Sequence, residues 1–196
     1  MKKQIVIATH NTNKLKEFKS LFEGTPYEVL GLADIKFNGE IKEDGETFAD
    51  NAVIKAQTIH KFTNLPVIAD DSGLCLNALD GFPGVNSARF MEGLPYSEKN
   101  AAIIKMLEGY SDKSAKFVCA IALVGLEKFP QVFIGEVKGM IINEERGKEG
   151  FGYDPIFFHP NSQKTFGEMS IKEKDDISHR GRATSLLFEY LKTHYF

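Results

Sequence analysis

Residues 4–8 read QIVIA, a short β-rich run that ends in the polar loop THNTN. Beyond it Leu15, Phe18, Leu21 and Phe22 return at helical spacing. Residues 50–62 are again helical in pattern, with Phe48, Ala49, Ala52, Val53, Ala56 and Ile59 on one face, and residues 66–69 read as the next strand. Strands alternating with helices in this way need crossover connections, which place strands side by side in parallel with helices over the sheet. Farther on, residues 116–124 and 131–139 are β-rich runs joined by a turn at 125–130, the pattern of an antiparallel pair, with a further strand expected over 140–143. The two patterns together predict an α/β fold with a mixed sheet flanked by helices.

Helices are also expected over residues 98–107 and at the end of the chain. There Ala183, Leu186, Leu187, Tyr190 and Leu191 form an apolar stripe, with Ser178, His179 and Arg180 at or just before the first turn. Residues 77–93, rich in Gly, Pro and Asn, read as a long ordered loop rather than a linker, and Arg89 within it is a candidate functional residue. The sequence contains no internal repeat, and all 196 residues read as a single domain, long enough to bury a substantial core.

Charge and composition exclude several classes of function. A formal charge of −3 argues against affinity gained by neutralising the phosphates of a nucleic-acid polymer, though a small phosphorylated ligand is compatible with it. The apolar run near the N-terminus is too short for a signal peptide or a membrane span, so a cytoplasmic location and no membrane partner are expected. Cys75 and Cys119 have neither metal-ligand nor redox spacing and read as two buried thiols.

The candidates for chemistry lie in three polar loops expected beyond strand ends, where clefts form in α/β sheets. In the first, Thr9, His10, Asn11, Thr12, Asn13 and Lys14 lead into a helix. Free amides and the helix dipole favour a phosphate there and Lys14 adds a formal charge, the competing reading being an ordinary cap by Thr12 or Asn13. The second contains Asp70, Asp71, Ser72 and Gly73, placed by the pattern at the end of a strand. Neighbouring strand residues point to opposite faces, so the two acids share a target only if the backbone turns, as Ser72-Gly73 allows. Adjacent carboxylates repel unless a cation joins them, and oxygen-only ligands suit Mg²⁺. Glu43 or Glu46 would add a further oxygen. The third region offers Phe151 and Tyr153 as flat faces for a base, Asp154 as an acceptor, and Lys174, His179 and Arg180 as donors. Taken singly, each aromatic reads as core and the KEKDD run as solvated surface.

Read in order, THNTNKLKEF, EDGETFADNAVIKA, ADDSGL, PGVNSAR, GFGYDPIF and ISHRG closely resemble the inosine triphosphate pyrophosphatase family, along nearly the whole chain. The resemblance implies a homodimer, an elongated mixed sheet with two lobes and a central cleft, and Mg²⁺-dependent hydrolysis of ITP, dITP and XTP to the monophosphate and pyrophosphate. It implies that residues 9–14 and Lys55 bind the triphosphate, that Asp71 is the metal-linked carboxylate and proton acceptor with Asp70 beside it, and that Ser72 touches substrate. Phe151, Gly152, Tyr153, Asp154, Lys174, His179 and Arg180 would surround the base. Members of the family often carry Gly or Asn where this chain has His10, and Gly where it has Asn13. An acidic pair before the Gly is common, where this chain has Lys42-Glu43, and Glu43 is taken as the second metal ligand. The rival class is a purine nucleotide sensor that binds without turnover.

Overall fold

The computed structural model describes residues 2–196, the side chains of Asn13 and Glu17 excepted. The first strand, β1 (Lys3–Ile7), buries Ile5, Val6 and Ile7 in succession, as a strand covered on both faces must. Helix α1 (Thr12–Leu21) follows, with Phe18 and Phe22 buried beneath it. Its start is fixed by Asn11, whose Oδ1 accepts from the Lys14 amide at 3.2 Å, so the cap is Asn11 rather than Thr12, and the Asn13 side chain lies outside the described residues. The chain returns through β2 (Tyr27–Gly31), which lies parallel to β1 with Ile5 opposite Val29.

Helix α2 (Phe48–Thr63) starts at a capping box, in which Thr47 and Asp50 each accept from the other's amide, and stops at Asn64 in the left-handed conformation. Strand β3 (Val67–Leu76) then pairs parallel with β1, Val6 opposite Val67. Next come α3 (Tyr96–Leu107), β4 (Ser114–Val124), β5 (Gln131–Ile141), β6 (Phe157–His159), β7 (Lys164–Thr165), α4 (Ile171–Ile177) and α5 (His179–His194). The sheet has seven strands in the order β2-β1-β3-β4-β5-β6-β7. Parallel pairing at the β2-β1-β3 end and antiparallel pairing of β5-β6-β7 make it mixed, as expected.

By contacts the chain divides into two compact units. The first comprises Met1–Asp71, Ala120–Ile134 and Ala183–Phe196, and its apolar core joins Val6, Val67 and Ala120 of the strands to Ala52, Ala56 and Ile59 of α2. The second comprises Ser72–Cys119 and Gly135–Arg182. Its core is aromatic: Phe117, Phe157 and Phe166 meet with ring centroids 4.5 to 5.8 Å apart, over Leu74, Ile103 and Leu107.

Several expectations need correction. The strand read over residues 66–69 does not stop there; β3 continues through Asp70, Asp71, Ser72 and Gly73 to Leu76. No separate strand covers 140–143, because β5 itself runs to Ile141. The KEKDD segment lies in α4, capped by Ser170, whose Oγ accepts from the Glu173 amide. The 77–93 loop is ordered, as predicted, and Ser87 ties it down through its Oγ, 2.8 Å from the Leu74 amide. Among the described residues Arg89 stays local, reaching the Val85 carbonyl and Asn86 within that loop. Among the described residues no disulfide joins the cysteines, and no helix is long and apolar enough to cross a membrane.

Candidate active site

In the first unit, charged side chains from three elements meet. Lys14, in the first turn of α1, extends its Nζ to Asp70 Oδ2 at 2.6 Å. Asp71, the next residue of β3, is met by α2 instead: Asn51 Nδ2 donates to its Oδ2 at 3.1 Å, and Lys55 Nζ lies 3.6 Å from its Oδ1. Lys55 also holds Glu43 Oε2 at 2.9 Å. Thr9, His10, Lys14, Glu43, Lys55 and Asp70, together with Glu40, line a hollow of about 310 Å³.

The two aspartates are therefore not brought together by a turn at Ser72-Gly73, as the sequence led us to expect. Side chains alternate along a continuous strand, and each acid takes its own partners. What they share is the field at Lys55. Burial alone would lower the pKa of that amine, but Asp71, Asp70 and Glu43 together outweigh it, and the net shift is upward. Burial raises the pKa of the Asp71 carboxyl, Lys55 and Asn51 partly counter it, and Glu43 and Asp70 push it higher again.

This donor set fits a magnesium ion in one particular way. Among the described residues no three His, Cys, Asp or Glu side chains gather as a fully protein-built metal site would require. Two carboxylates, Glu43 and Asp71, do converge on a single cation, the Lys55 amine. Magnesium is commonly held by one or two carboxylates, with substrate phosphates and water completing its octahedron. Glu46, the other acid considered, is exposed.

In the second unit, the glycine-rich loop before Tyr153 forms a different kind of cluster. Asp154 is buried and paired with Lys174, which is also buried. Its Oδ2 also accepts from the Phe151 amide at 2.8 Å. Gly150 makes this possible: its φ is +72°, and a Cβ there would lie 2.2 Å from Asp154 Oδ2. Phe151 is 56% exposed, with Lys174 Nζ 4.8 Å and Arg180 Cζ 5.5 Å from its ring centroid. The Arg180 guanidinium also reaches Ser72 Oγ at 3.4 Å.

Comparison with known proteins places this chain. The model of the Ham1 family matches residues 5–190. The dITP/XTP pyrophosphatase of Geobacter sulfurreducens is 42% identical over 191 residues, 96% of each chain. That of Bacillus licheniformis is 45% identical over 192 residues, 94% of this chain and 96% of its own. The chain belongs to the Ham1 family. Among solved structures, the Ham1 protein of Staphylococcus aureus superposes with a TM-score of 0.92 at 39% identity, covering 97% of this chain and 99% of its own. A HAM1 protein from Coxiella burnetii gives 0.93 at 39% identity, with the same coverage.

Within this Ham1 chain the expected residues fall into distinct places. Thr9, His10, Lys14, Glu43, Lys55 and Asp70 line the first unit's hollow, and Asp71 adjoins it through Lys55. Asn11 and Thr12 are exposed at the start of α1, and the Asn13 side chain lies outside the described residues. Phe151 is the aromatic that offers a face. Tyr153 does not, contrary to expectation: its ring is buried edge-on to Tyr96 and its hydroxyl donates to the Ser87 carbonyl at 2.7 Å. Burial drives its pKa well up, with Tyr96 adding to the effect, as suits a phenol with a packing role. Gly152 (φ +69°) lies beneath Tyr96, and His179 is buried, stacked on Phe117 at 4.8 Å between centroids. The sequence reading overlooked Asn51 and Glu40. The first had a signal, since Asn51 and Lys55 stand one helical turn apart on the side of α2 that meets Asp71.

Proposed function

We propose that this chain hydrolyses non-standard purine nucleoside triphosphates, ITP, dITP and XTP, to the nucleoside monophosphate and pyrophosphate, clearing them from the nucleotide pool. One observation carries the reading: two lysines from different helices, Lys14 and Lys55, each meet one of two consecutive acids beside a single hollow. Full-length similarity to proteins named dITP/XTP pyrophosphatase supports it.

In this scheme the triphosphate lies against residues 9–14 and Lys55. The Lys14 and Lys55 amines turn from carboxylate to phosphate oxygens and offset the charge that grows on the leaving group. Water attacks the α-phosphorus: its oxygen forms the new bond, the bridging bond to the β-phosphate breaks, and pyrophosphate leaves with the electron pair. Asp71 orients the water and takes its proton. Mg²⁺, held by Glu43 and Asp71, would supply charge neutralisation on the phosphate oxygens when bound. Positioning and charge account for most catalysis in phosphoryl transfer.

The base is assigned to the second unit's cluster. Phe151 offers the stacking face, Asp154 with Gly152 and Tyr153 keeps that loop in shape, and His179 backs the start of α5. Hypoxanthine and xanthine carry an acceptor oxygen at the six position, which Arg180 and Lys174 can meet as donors; adenine carries a donor there. Each buried donor left unmet costs about 1 to 3 kcal/mol, enough for strong rejection when several are involved. Ser72 is assigned to substrate contact through its hydroxyl. The same proposal treats residues 1–196 as one catalytic domain acting as a cytoplasmic homodimer, which sedimentation and cell fractionation would test.

The decisive experiment is a panel of ITP, dITP, XTP, GTP and ATP, with and without Mg²⁺, with products separated by chromatography. Pyrophosphate as first product from ITP and XTP, in large excess over ATP, is expected. Orthophosphate as first product, or tight binding with no product, overturns the reading.

A further inference from the structure

Asn51 is 0% exposed, and both ends of its amide are committed. Its Oδ1 accepts from the Gly45 amide at 2.8 Å and its Nδ2 donates to Asp71 Oδ2 at 3.1 Å. The first bond fixes the orientation of the second, because an amide whose oxygen faces an N–H must turn its NH₂ group the other way. A neutral, non-titrating donor is thus held against one oxygen of Asp71. The other oxygen, Oδ1, faces Lys55, which also holds Glu43.

Gly45 stands two residues beyond Glu43 in the same acidic turn. A Cβ on Gly45 would lie 2.6 Å from Asp50 Cβ and 2.8 Å from Asn51 Oδ1, so the turn approaches the start of α2 as closely as a bare backbone permits. The Thr47–Asp50 capping box fixes that first helical turn, and with it the point from which Asn51 projects. One buried side chain therefore ties the turn that carries Glu43 to the strand that carries Asp71.

We propose that Asn51 is a positioning residue that divides the labour of Asp71: it anchors Oδ2, leaves Oδ1 as the oxygen offered to a divalent cation, and holds Glu43 in register beside it. The inference rests on the functional reading above. An apolar residue of similar size would fill the space yet leave the Gly45 amide without its acceptor and Asp71 Oδ2 without its anchor. Partners that orient ligating carboxylates typically affect metal affinity by about 10- to 100-fold.

Two measurements test this. The first uses the unaltered protein, crystallised with Mn²⁺ and a non-hydrolysable ITP analogue, with the ion located by its anomalous signal. Contact with Asp71 Oδ1 and Glu43, with Asn51 Nδ2 still on Oδ2, is expected. An ion on Oδ2 with Asn51 displaced overturns the inference but leaves the functional reading standing. An ion remote from Asp71 sinks the metal assignment and this inference together. The second measures Mg²⁺ affinity by calorimetry and steady-state ITP hydrolysis in Asn51→Ala. Affinity about 10- to 100-fold weaker, with kcat falling far more than KM for ITP, is expected. A folded Asn51→Ala protein with Mg²⁺ affinity and kcat within twofold of the parent refutes the role, and if that variant does not fold, the crystal with Mn²⁺ decides alone. Failure of the parent itself to hydrolyse ITP would instead refute the functional reading.

Discussion

The two units treat buried charge differently. In the first, Lys55 is shared between Glu43 and Asp71 and Lys14 is given to Asp70, so carboxylates outnumber amines around the hollow. In the second, Asp154 and Lys174 form a buried pair whose carboxylate also accepts from the Phe151 amide, and the ring of Phe151 above it is exposed. An amine shared between two carboxylates suits a site where charge moves during a reaction, whereas a buried pair beneath an exposed ring suits one that recognises shape and hydrogen-bond polarity.

If that contrast is right, substitutions in the first unit should lower turnover and those in the second should alter stability or discrimination. The largest effect is expected from Asp71→Asn. It should reduce kcat with ITP about 10³-fold, within the range typical of a lost acid–base group, while circular dichroism and base preference stay unchanged. A shift in base preference in that variant would break the division between the units. Next comes Lys174→Ala, which strands the Asp154 carboxylate beneath Phe151. Removing one member of a buried pair costs about 3 to 5 kcal/mol, visible in urea denaturation, and the cost should fall if Asp154 is changed to Asn in the same chain.

Arg180→Ala should narrow the preference for ITP over ATP by about 1 to 3 kcal/mol, read from the ratio of kcat/KM values, with kcat for ITP nearly kept. A loss confined to kcat would move Arg180 into the catalytic group and blur the comparison. The smallest effect concerns His159, also in the second unit. Burial lowers its pKa, with Arg182 adding to the effect. A group whose pKa is depressed by folding contributes stability that is fully present above its ordinary value of 6.5 and is lost as pH falls through the lowered one. The unfolding midpoint in urea should therefore drop below pH 6.5, and His159→Gln should remove that part of the drop.

Periodicity made much of this fold legible. α1, α2, α3, β5 and the apolar stripe of α5 carry a face that repeats at the period of their element, and β1 and β4 stand out as continuous apolar runs. What escaped had weaker or competing signals. β2 reads YEVLG and is too short to establish alternation, and β6 and β7 span only 3 and 2 residues. α4 reads IKEKDDI, and its helical character depends on the Ser170–Glu173 capping box rather than on an apolar stripe.

The site was legible as a set of residues but not as a geometry. Two acids followed by Ser-Gly look locally like the end of a strand. The strand continues because lysines far away in sequence, Lys14 and Lys55, make the acids tolerable there. Asn51 went unnoticed because an asparagine in a helix looks like a solvent-facing side chain until its two distant partners are known. Tyr153, chosen for its ring, turned out to support its loop from below.

The continuation of β3 through Asp70 and Asp71 has a mechanical consequence. Both acids are carried within one continuous strand, so neither has the swing of a loop residue. The adjustment needed when a polyanion arrives must come from the methylene chains of Lys14 and Lys55, which reorient in picoseconds to nanoseconds where they are not tightly packed. The carboxylates are then the stationary jaw of a vice, and only the amines travel from one cycle to the next.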